Sequence, residues 1–278
     1  MEQIIRGVLS PSTKGSNLLR TLFTAFLILI NFSFSFELTD ACKAYLLNSK
    51  KGDHFRVYYP NNERNRVGEV LNTAEQAYKE IAQIFPNTLA SVDILIFAST
   101  ADYNRLLGWQ CRAPNWSKGL YRKDAIILIN PDNKWTKYIV PHELTHVFIY
   151  DISRNIPNWL NEGLAQYLAK DDYFYNGQSS EYLLRQAVKS KTLVNLADIN
   201  QVYDNFKNEH DVKLAYRESL NITNYLIQNF GIPKVMKFLN SRKEGNELSD
   251  DLKKAFGLSY EELERRWLKS LKDEYVNN

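Results

Sequence analysis

Two histidines and a glutamate in one short segment are spaced for metal-assisted hydrolysis. His142 and His146 are four residues apart, and Glu143 follows the first directly, in the sequence HELTH. On an α-helix, residues i and i+4 lie on the same face, so both imidazoles could bind one metal ion. Glu143 would lie beside that ion, where a carboxylate can take a proton from a metal-bound water. Two ordinary histidines on a helix are the alternative.

A second segment supplies a third candidate ligand. A catalytic zinc ion commonly has three protein ligands and one open position. Glu162 lies in the segment WLNEGLAQY, separated from His146 by 15 residues. A helix, a turn near residues 154–156 and a return helix would bring Glu162 back to the metal, and Gly163 would allow close helix packing. This third ligand favours a metal site over a chance pair of histidines.

The two segments together resemble the gluzincin metallopeptidases. They are similar to the aminopeptidase N-type HExxH…WLNEGFA pattern and, more closely, to the compact peptidase MA-like proteins of bacteria. The resemblance implies that His142, His146 and Glu162 bind one Zn²⁺ ion per chain and that Glu143 is the general base. The spacing before Glu162 is shorter than in the aminopeptidase pattern, and no GxMEN-type segment is present. Aminopeptidase specificity is therefore not implied.

The resemblance also implies a donor for the oxyanion of peptide hydrolysis. Gluzincins commonly place a Tyr or His opposite the zinc for this purpose. In the MA-like group a Tyr and a Ser three residues apart open a helix that ends near a glycine, as Tyr216, Ser219 and Gly231 do here. Tyr216 is thus the candidate catalytic donor. A core tyrosine is the alternative reading, and His210 is a second candidate.

Four further residues near these segments have expected supporting or structural roles. Trp159 is expected to pack behind the two helices rather than contact substrate. Asn161 and Gln166 could orient Glu162 or a ligating histidine, or could serve only as helix caps. His54 is expected to be a surface histidine on a strand.

Hydrophobic spacing predicts an α+β fold, in which a small mixed β-sheet with zincin active-site helices precedes an all-helical C-terminal part. Apolar segments predict strands at residues 54–59, 92–97 and 125–129. Helical periodicity predicts helices at 67–85, 101–107, 137–151, 157–169, 181–190, 212–229, 232–241, 249–256 and 260–274. In gluzincins the strand before the zinc helix is often a sheet edge that pairs with substrate, which the resemblance implies for Ala125–Asn130.

The N-terminal segment predicts export. Residues 1–20 are polar and basic and precede an apolar run over residues 21–36. This run is shorter than the roughly 20 residues of a spanning helix and fits an export signal, with small residues suited to cleavage after Ser35. An uncleaved anchor, giving membrane association through residues 18–36, and a buried helix are the alternatives. The first two place the protein in the periplasm, the cell envelope or the extracellular space.

The expected domain plan has two parts. Residues 1–36 form the signal peptide or anchor, and residues 37–278 form one peptidase MA-like domain. Within that domain we expect the sheet and zinc helices in residues 50–170 and a helical subdomain in residues 171–278.

Charge and cysteine content narrow the function classes. The formal net charge is +3 and no basic block is long, which argues against nucleic acid as a partner. Cys42 and Cys111 belong to no CxxC pair and are poor metal-ligand candidates. In an exported chain they could form one disulfide, and two separate thiols are the alternative.

The predicted function is that of an exported or membrane-tethered zinc endopeptidase acting on peptides or proteins. Glu143 would deprotonate a zinc-bound water that attacks the peptide carbonyl, and would then pass the proton to the leaving amine. A catalytically silent peptidase-fold module for binding or assembly in the cell envelope is the alternative. A structural envelope protein with a chance HExxH is a third hypothesis.

Overall fold

The computed structural model describes residues 42, 43, 45–107, 119–122, 125–129, 133–170, 174–175, 178–199 and 209–277. The chain divides into two compact units, Met1–Tyr45 and Leu46–Asn278, and the fold below is that of the second. Cys111 and the apolar run of residues 21–36 lie outside the described residues, so the disulfide and the export signal stay predictions. Among the helices that are described, none combines the length and apolar character needed to cross a membrane.

Five strands form the main sheet, in the order β1-β2-β3-β5-β4. Their bounds are Asn48–Lys51 (β1), Phe55–Tyr59 (β2), Val92–Phe97 (β3), Gly119–Arg122 (β4) and Ala125–Ile129 (β5). The three central strands β2, β3 and β5 are parallel, whereas β1 and β4 pair antiparallel at the two ends of the sheet. Every residue of β5 is buried, as expected for a strand covered on both faces.

The expectation that Ala125–Asn130 is a sheet edge is wrong. Strand β5 lies between β3 and β4, and β4 is the terminal strand on that side. The sequence GLYR of β4 has no apolar run, so it gives no strand signal of its own and is held as a strand by antiparallel pairing with β5.

The helices follow the predicted order. Their bounds are Val67–Ile81 (α1), Thr100–Leu107 (α2), Asn133–Ile152 (α3), Asn158–Ala169 (α4), Ser180–Ser190 (α5), Glu209–Phe230 (α6), Ile232–Ser241 (α7), Leu248–Phe256 (α8) and Tyr260–Tyr275 (α9). A short 3-10 helix precedes α1, and a two-stranded hairpin, Phe174–Tyr175 (β6) and Gln178–Ser179 (β7), precedes α5. Ser99 accepts a hydrogen bond from the Asp102 backbone N–H and so begins α2 as a cap. The predicted α+β architecture with a helical C-terminal part is confirmed.

Helix α4 lies between α3 and α6, and this arrangement positions the site. Gly163 makes the close approach of α4 to α6 possible, because a Cβ at this position would overlap the Ser219 carbonyl oxygen and the Thr223 hydroxyl. The close packing expected of Gly163 is therefore confirmed. One cluster of buried hydrophobic side chains extends from the sheet to the C-terminal helices. It includes Ile94 on β3 and Trp267 on α9.

The turn from α3 to α4 is braced from the C-terminal part. Ser153 Oγ donates to the Arg242 carbonyl oxygen at 3.0 Å, and Arg242 Nε donates to the Asn155 carbonyl oxygen at 3.1 Å. The buried guanidinium also pairs with Asp251, with 2.8 Å between Nη1 and Oδ2. These contacts fix the turn that returns the chain from the first candidate ligands to the third.

Candidate active site

Helices α3 and α4 bring three candidate metal ligands together. His142 and His146 lie one turn apart on α3, with their ring centroids 4.8 Å apart and the rings nearly perpendicular. Glu162 Oε2 on α4 is 3.3 Å from His142 Nε2 and 3.6 Å from His146 Nε2. The three ligand atoms all lie within 4.8 Å of one another. In the part of the chain that the structure describes, this is the one such cluster of three or more potential ligands.

Two of the three ligand separations in this cluster are close to those of a tetrahedral metal centre. Tetrahedral zinc with N and O ligands at ~2.0–2.2 Å requires ligand atoms roughly 3.3–3.5 Å apart. The two distances from Glu162 Oε2 to the imidazole nitrogens, 3.3 and 3.6 Å, are close to that value. Glu162 Oε2 is also buried without a hydrogen-bond partner among the described residues. A bound cation would compensate for this by coordinating the oxygen. The three residues therefore form a possible His/His/Glu metal-binding triad.

The electrostatics of the triad favour positive charge at its centre. Burial opposes the charged form of His146, but the Glu162 carboxylate outweighs it and raises the pKa of this imidazole. Burial likewise opposes the charge on Glu162, but His146 and His142 together hold the pKa of that carboxyl below its usual range. A metal cation at the centre of the triad would supply positive charge next to the Glu162 carboxylate.

Glu143 lies buried beside the two histidines. Burial raises the pKa of this carboxyl, and the neighbouring His142 and His146 offset only part of that effect. A carboxylate whose pKa is raised is a stronger base than an ordinary carboxylate. The side chain thus has the position and the electrostatic environment of a base that acts next to the triad.

Strand β4 passes directly over Glu143. A Cβ built at Gly119 would lie 2.9 Å from Glu143 Oε1 and 3.2 Å from its Cγ, and it would also overlap Ile139. Only a glycine lets the strand approach the carboxylate this closely. Gly119 was not singled out by the sequence, because a single glycine in a short polar segment carries no signal without knowledge of the strand order.

Two residues of α4 contact the groups around the triad. Asn161 Oδ1 lies 3.0 Å from His146 Nδ1, on the side of the ring opposite the Nε2 atom that faces Glu162. Gln166 Nε2 donates to the carbonyl oxygens of Glu162 and Tyr216. Asn161 therefore orients a candidate ligand, His146, which is one of the two roles expected for it. Trp159 is 1% exposed, which confirms that it packs in the core.

The other predicted residues, Tyr216, His210 and His54, lie in three different surroundings. Tyr216 is half-buried on α6 and packs against the hydrophobic core, and its backbone is joined to α4 through Gln166. Its catalytic role stays a prediction. His210 lies near the start of α6 with an exposed side chain next to Asp211. His54 immediately precedes β2 rather than lying in it, stacks on Tyr78 and bonds to Glu75, so it is only partly a surface residue.

Comparison with known proteins agrees with this geometry. The family model of the Peptidase MA superfamily matches residues 73–273, a range that contains the triad, Glu143 and Tyr216. A search of the curated proteins found no match. Because the family model covers more than half of the chain, this protein belongs to the Peptidase MA superfamily and has a peptidase-type function.

Proposed function

We propose that this protein is a zinc-dependent endopeptidase of the gluzincin type. The observation that carries the proposal is the convergence of His142 Nε2, His146 Nε2 and Glu162 Oε2 beside the buried carboxylate of Glu143. Zinc, when bound, would lower the pKa of a water molecule and polarise the scissile carbonyl. Endopeptidase action is preferred because the sequence contains no GxMEN-type segment of the kind that binds a free substrate N-terminus in aminopeptidases.

The chain's own groups would move the proton. Glu143 takes a proton from the attacking water and delivers it to the nitrogen of the leaving amine. Its burial next to β4 supports this role, since the exclusion of water strengthens the interaction of a charged base with its partners. Tyr216 donates a hydrogen bond to the negative charge that develops on the carbonyl oxygen, a role implied by the resemblance to MA-like peptidases.

The substrate is a peptide or protein segment in extended conformation. Strand β4 supports this proposal, because it is the terminal strand of the sheet and Gly119 brings its backbone against Glu143. A segment added alongside β4 would pair through its backbone, so affinity would depend little on its side chains. The apolar run of residues 21–36 supports an exported or membrane-attached protein that meets its substrates outside the cytoplasm.

The test compares the purified protein with its Glu143→Gln variant, using elemental analysis for zinc and an unfolded protein such as casein as substrate. We expect one zinc per chain in both and cleavage by the wild type only, with a loss of at least ~10²-fold in the variant. Glu69→Gln, a half-exposed position on α1, is the matched control and should retain both properties. Zinc without cleavage in either would contradict the enzyme and favour a binding module. No zinc in either would contradict the metal centre itself.

A further inference from the structure

Gln166 joins the candidate ligand helix to the helix of Tyr216. It lies on α4 one turn after Glu162, and it is 1% exposed. Its Nε2 donates to the Glu162 carbonyl oxygen at 3.2 Å and to the Tyr216 carbonyl oxygen at 2.8 Å. One buried amide group thus contacts the backbone of the third candidate ligand and the backbone of the candidate oxyanion donor.

The orientation of this amide follows from its partners. Both partners are carbonyl oxygens, which only accept hydrogen bonds, so the amide nitrogen must face them. In the opposite orientation Gln166 Oε1 would face two acceptors. As placed, Oε1 is buried without a partner among the described residues. Leaving an acceptor unpaired is costly, so stability alone would be served as well by an apolar side chain of the same shape. The contribution of the Gln166 amide donor is therefore to fix the position of the Tyr216 backbone relative to the Glu162 backbone.

Gly163 and Gln166 fix α6 at different points along its length. Gly163 allows α4 to contact α6 at Ser219 and Thr223, which sets the distance between the two helices. Gln166 acts nearer the start of α6, at Tyr216. Two contacts separated along a helix restrict its rotation as well as its distance from the neighbouring helix, and the second contact falls on the residue whose position matters for catalysis.

We propose that Gln166 is a positioning residue that holds Tyr216 in register with Glu162. The inference rests on the proposed function, in which Tyr216 donates to the oxyanion next to the metal held in part by Glu162. A misplacement of about 1 Å at such a donor can lower the rate by ~10²-fold. A single side chain that bonds to both backbones keeps the two groups at one separation.

The test uses Gln166→Met in the full chain, because methionine keeps the length of the side chain and removes the donor. We expect kcat for casein-derived peptides to fall by ~10- to 100-fold with KM changed less than about twofold. In a Tyr216→Phe background the same substitution should change kcat by less than about twofold, since the group through which it acts is already gone. Gln76→Met, on the exposed face of α1, is the matched control and should change nothing.

Two measurements that do not need activity separate the outcomes. Amide hydrogen exchange in the zinc-loaded and zinc-free protein should become faster in Gln166→Met at residues 212–220 and stay unchanged at residues 222–230. Zinc affinity should stay within about threefold of wild type. Equal losses of kcat in the wild-type and Tyr216→Phe backgrounds, or unchanged exchange at residues 212–220, would overturn the proposal. If the wild type does not cleave peptides, the proposed function fails, while the exchange data still report whether Gln166 holds α6.

Discussion

Asn161 Oδ1 lies 3.0 Å from His146 Nδ1, so the residue directly before one candidate ligand orients another. An acceptor at this position favours the tautomer in which Nδ1 carries the proton, which leaves the Nε2 lone pair for a metal ion held beside Glu162. Because Asn161 and Glu162 are neighbours on α4, any shift of this helix moves a ligand and the support of a second ligand together.

Removal of the Asn161 acceptor should weaken metal binding. We expect Asn161→Leu to lower zinc affinity by ~10- to 100-fold, because the His146 ring loses the partner that fixes its orientation. Asn161→Asp keeps an acceptor at the same place and should retain affinity to within about tenfold. Competition with a chromogenic chelator measures both. Equal affinities of Asn161→Leu and wild type would show that the bond does not support the site.

Enlargement of Gly163 should destabilise the protein. Gly163→Ala places a methyl group against the Ser219 backbone and the Thr223 hydroxyl, and the backbone of a helix cannot move aside alone. We expect a loss of ~1–3 kcal/mol in the free energy of unfolding, measured in urea. Gly68→Ala is the control, since a Cβ at this helical position meets nothing within 4 Å. It should stabilise the protein by ~0.5–1 kcal/mol.

Arg242 should contribute strongly to stability through a buried ion pair. Its Nη1 lies 2.8 Å from Asp251 Oδ2, and Asp251 is 1% exposed. Arg242→Met leaves that buried carboxylate without its cationic partner and should cost ~3–5 kcal/mol in the free energy of unfolding. Arg265→Met, which breaks an exposed pair with Glu262, should change stability little. Similar losses in both variants would contradict the argument.

The same pair predicts an acid dependence. Burial opposes ionisation of Asp251, but hydrogen bonds from Arg242 and Asn246 outweigh it, so the pKa of this carboxyl is lowered. A lowered folded pKa stabilises the protein above the unfolded pKa of ~3.9, and the stabilisation is lost as pH falls through the folded value. The Asp251→Asn variant should lose less stability than wild type between pH 5 and pH 2, as measured by thermal unfolding at roughly half-unit steps.

Glu218 predicts the opposite slope at higher pH. This carboxyl is fully buried on α6, and burial raises its pKa to about 8, although the Val194 backbone N–H donates to it. A raised folded pKa gives stability that is complete below the unfolded pKa of ~4.3 and is lost as pH rises to about 8. Wild type should therefore be less stable at pH 8 than at pH 5, and Glu218→Gln should reduce that difference. If urea unfolding shows the same stability difference between pH 5 and pH 8 in Glu218→Gln as in wild type, that difference arises from other groups.

The sequence predicted the elements whose signals are local. The five C-terminal helices have strong apolar periodicity, and their predicted ends lie within a few residues of those observed, as for Ile232–Ser241. Strands β3 and β5 were found because their apolar runs are buried on both faces. His142, His146 and Glu162 were grouped from helical spacing and one return turn together with the resemblance to the gluzincins, and the structure brings the three side chains together.

The features that were not predicted depend on contacts between distant segments. Strands β1 and β4 have the sequences NSKK and GLYR, which show no apolar alternation and are strands because of their partners. The role of Gly119 follows from the crossing of β4 over α3, which the sequence does not encode locally. Gln166 was a candidate near Glu162, but its bond to Tyr216 spans 50 residues and required the packing of α6 on α4.

The brace of Arg242 on the α3–α4 turn has a consequence for biosynthesis. The turn that returns Glu162 to the histidines is held by a side chain more than 80 residues later, and that side chain is itself held by Asp251. A nascent chain that has emerged only as far as α4 contains every candidate ligand but lacks the contacts that fix their arrangement. We therefore expect the candidate metal site to form only after nearly the whole polypeptide has been made, which would delay the proposed hydrolytic activity until the chain can fold as a unit.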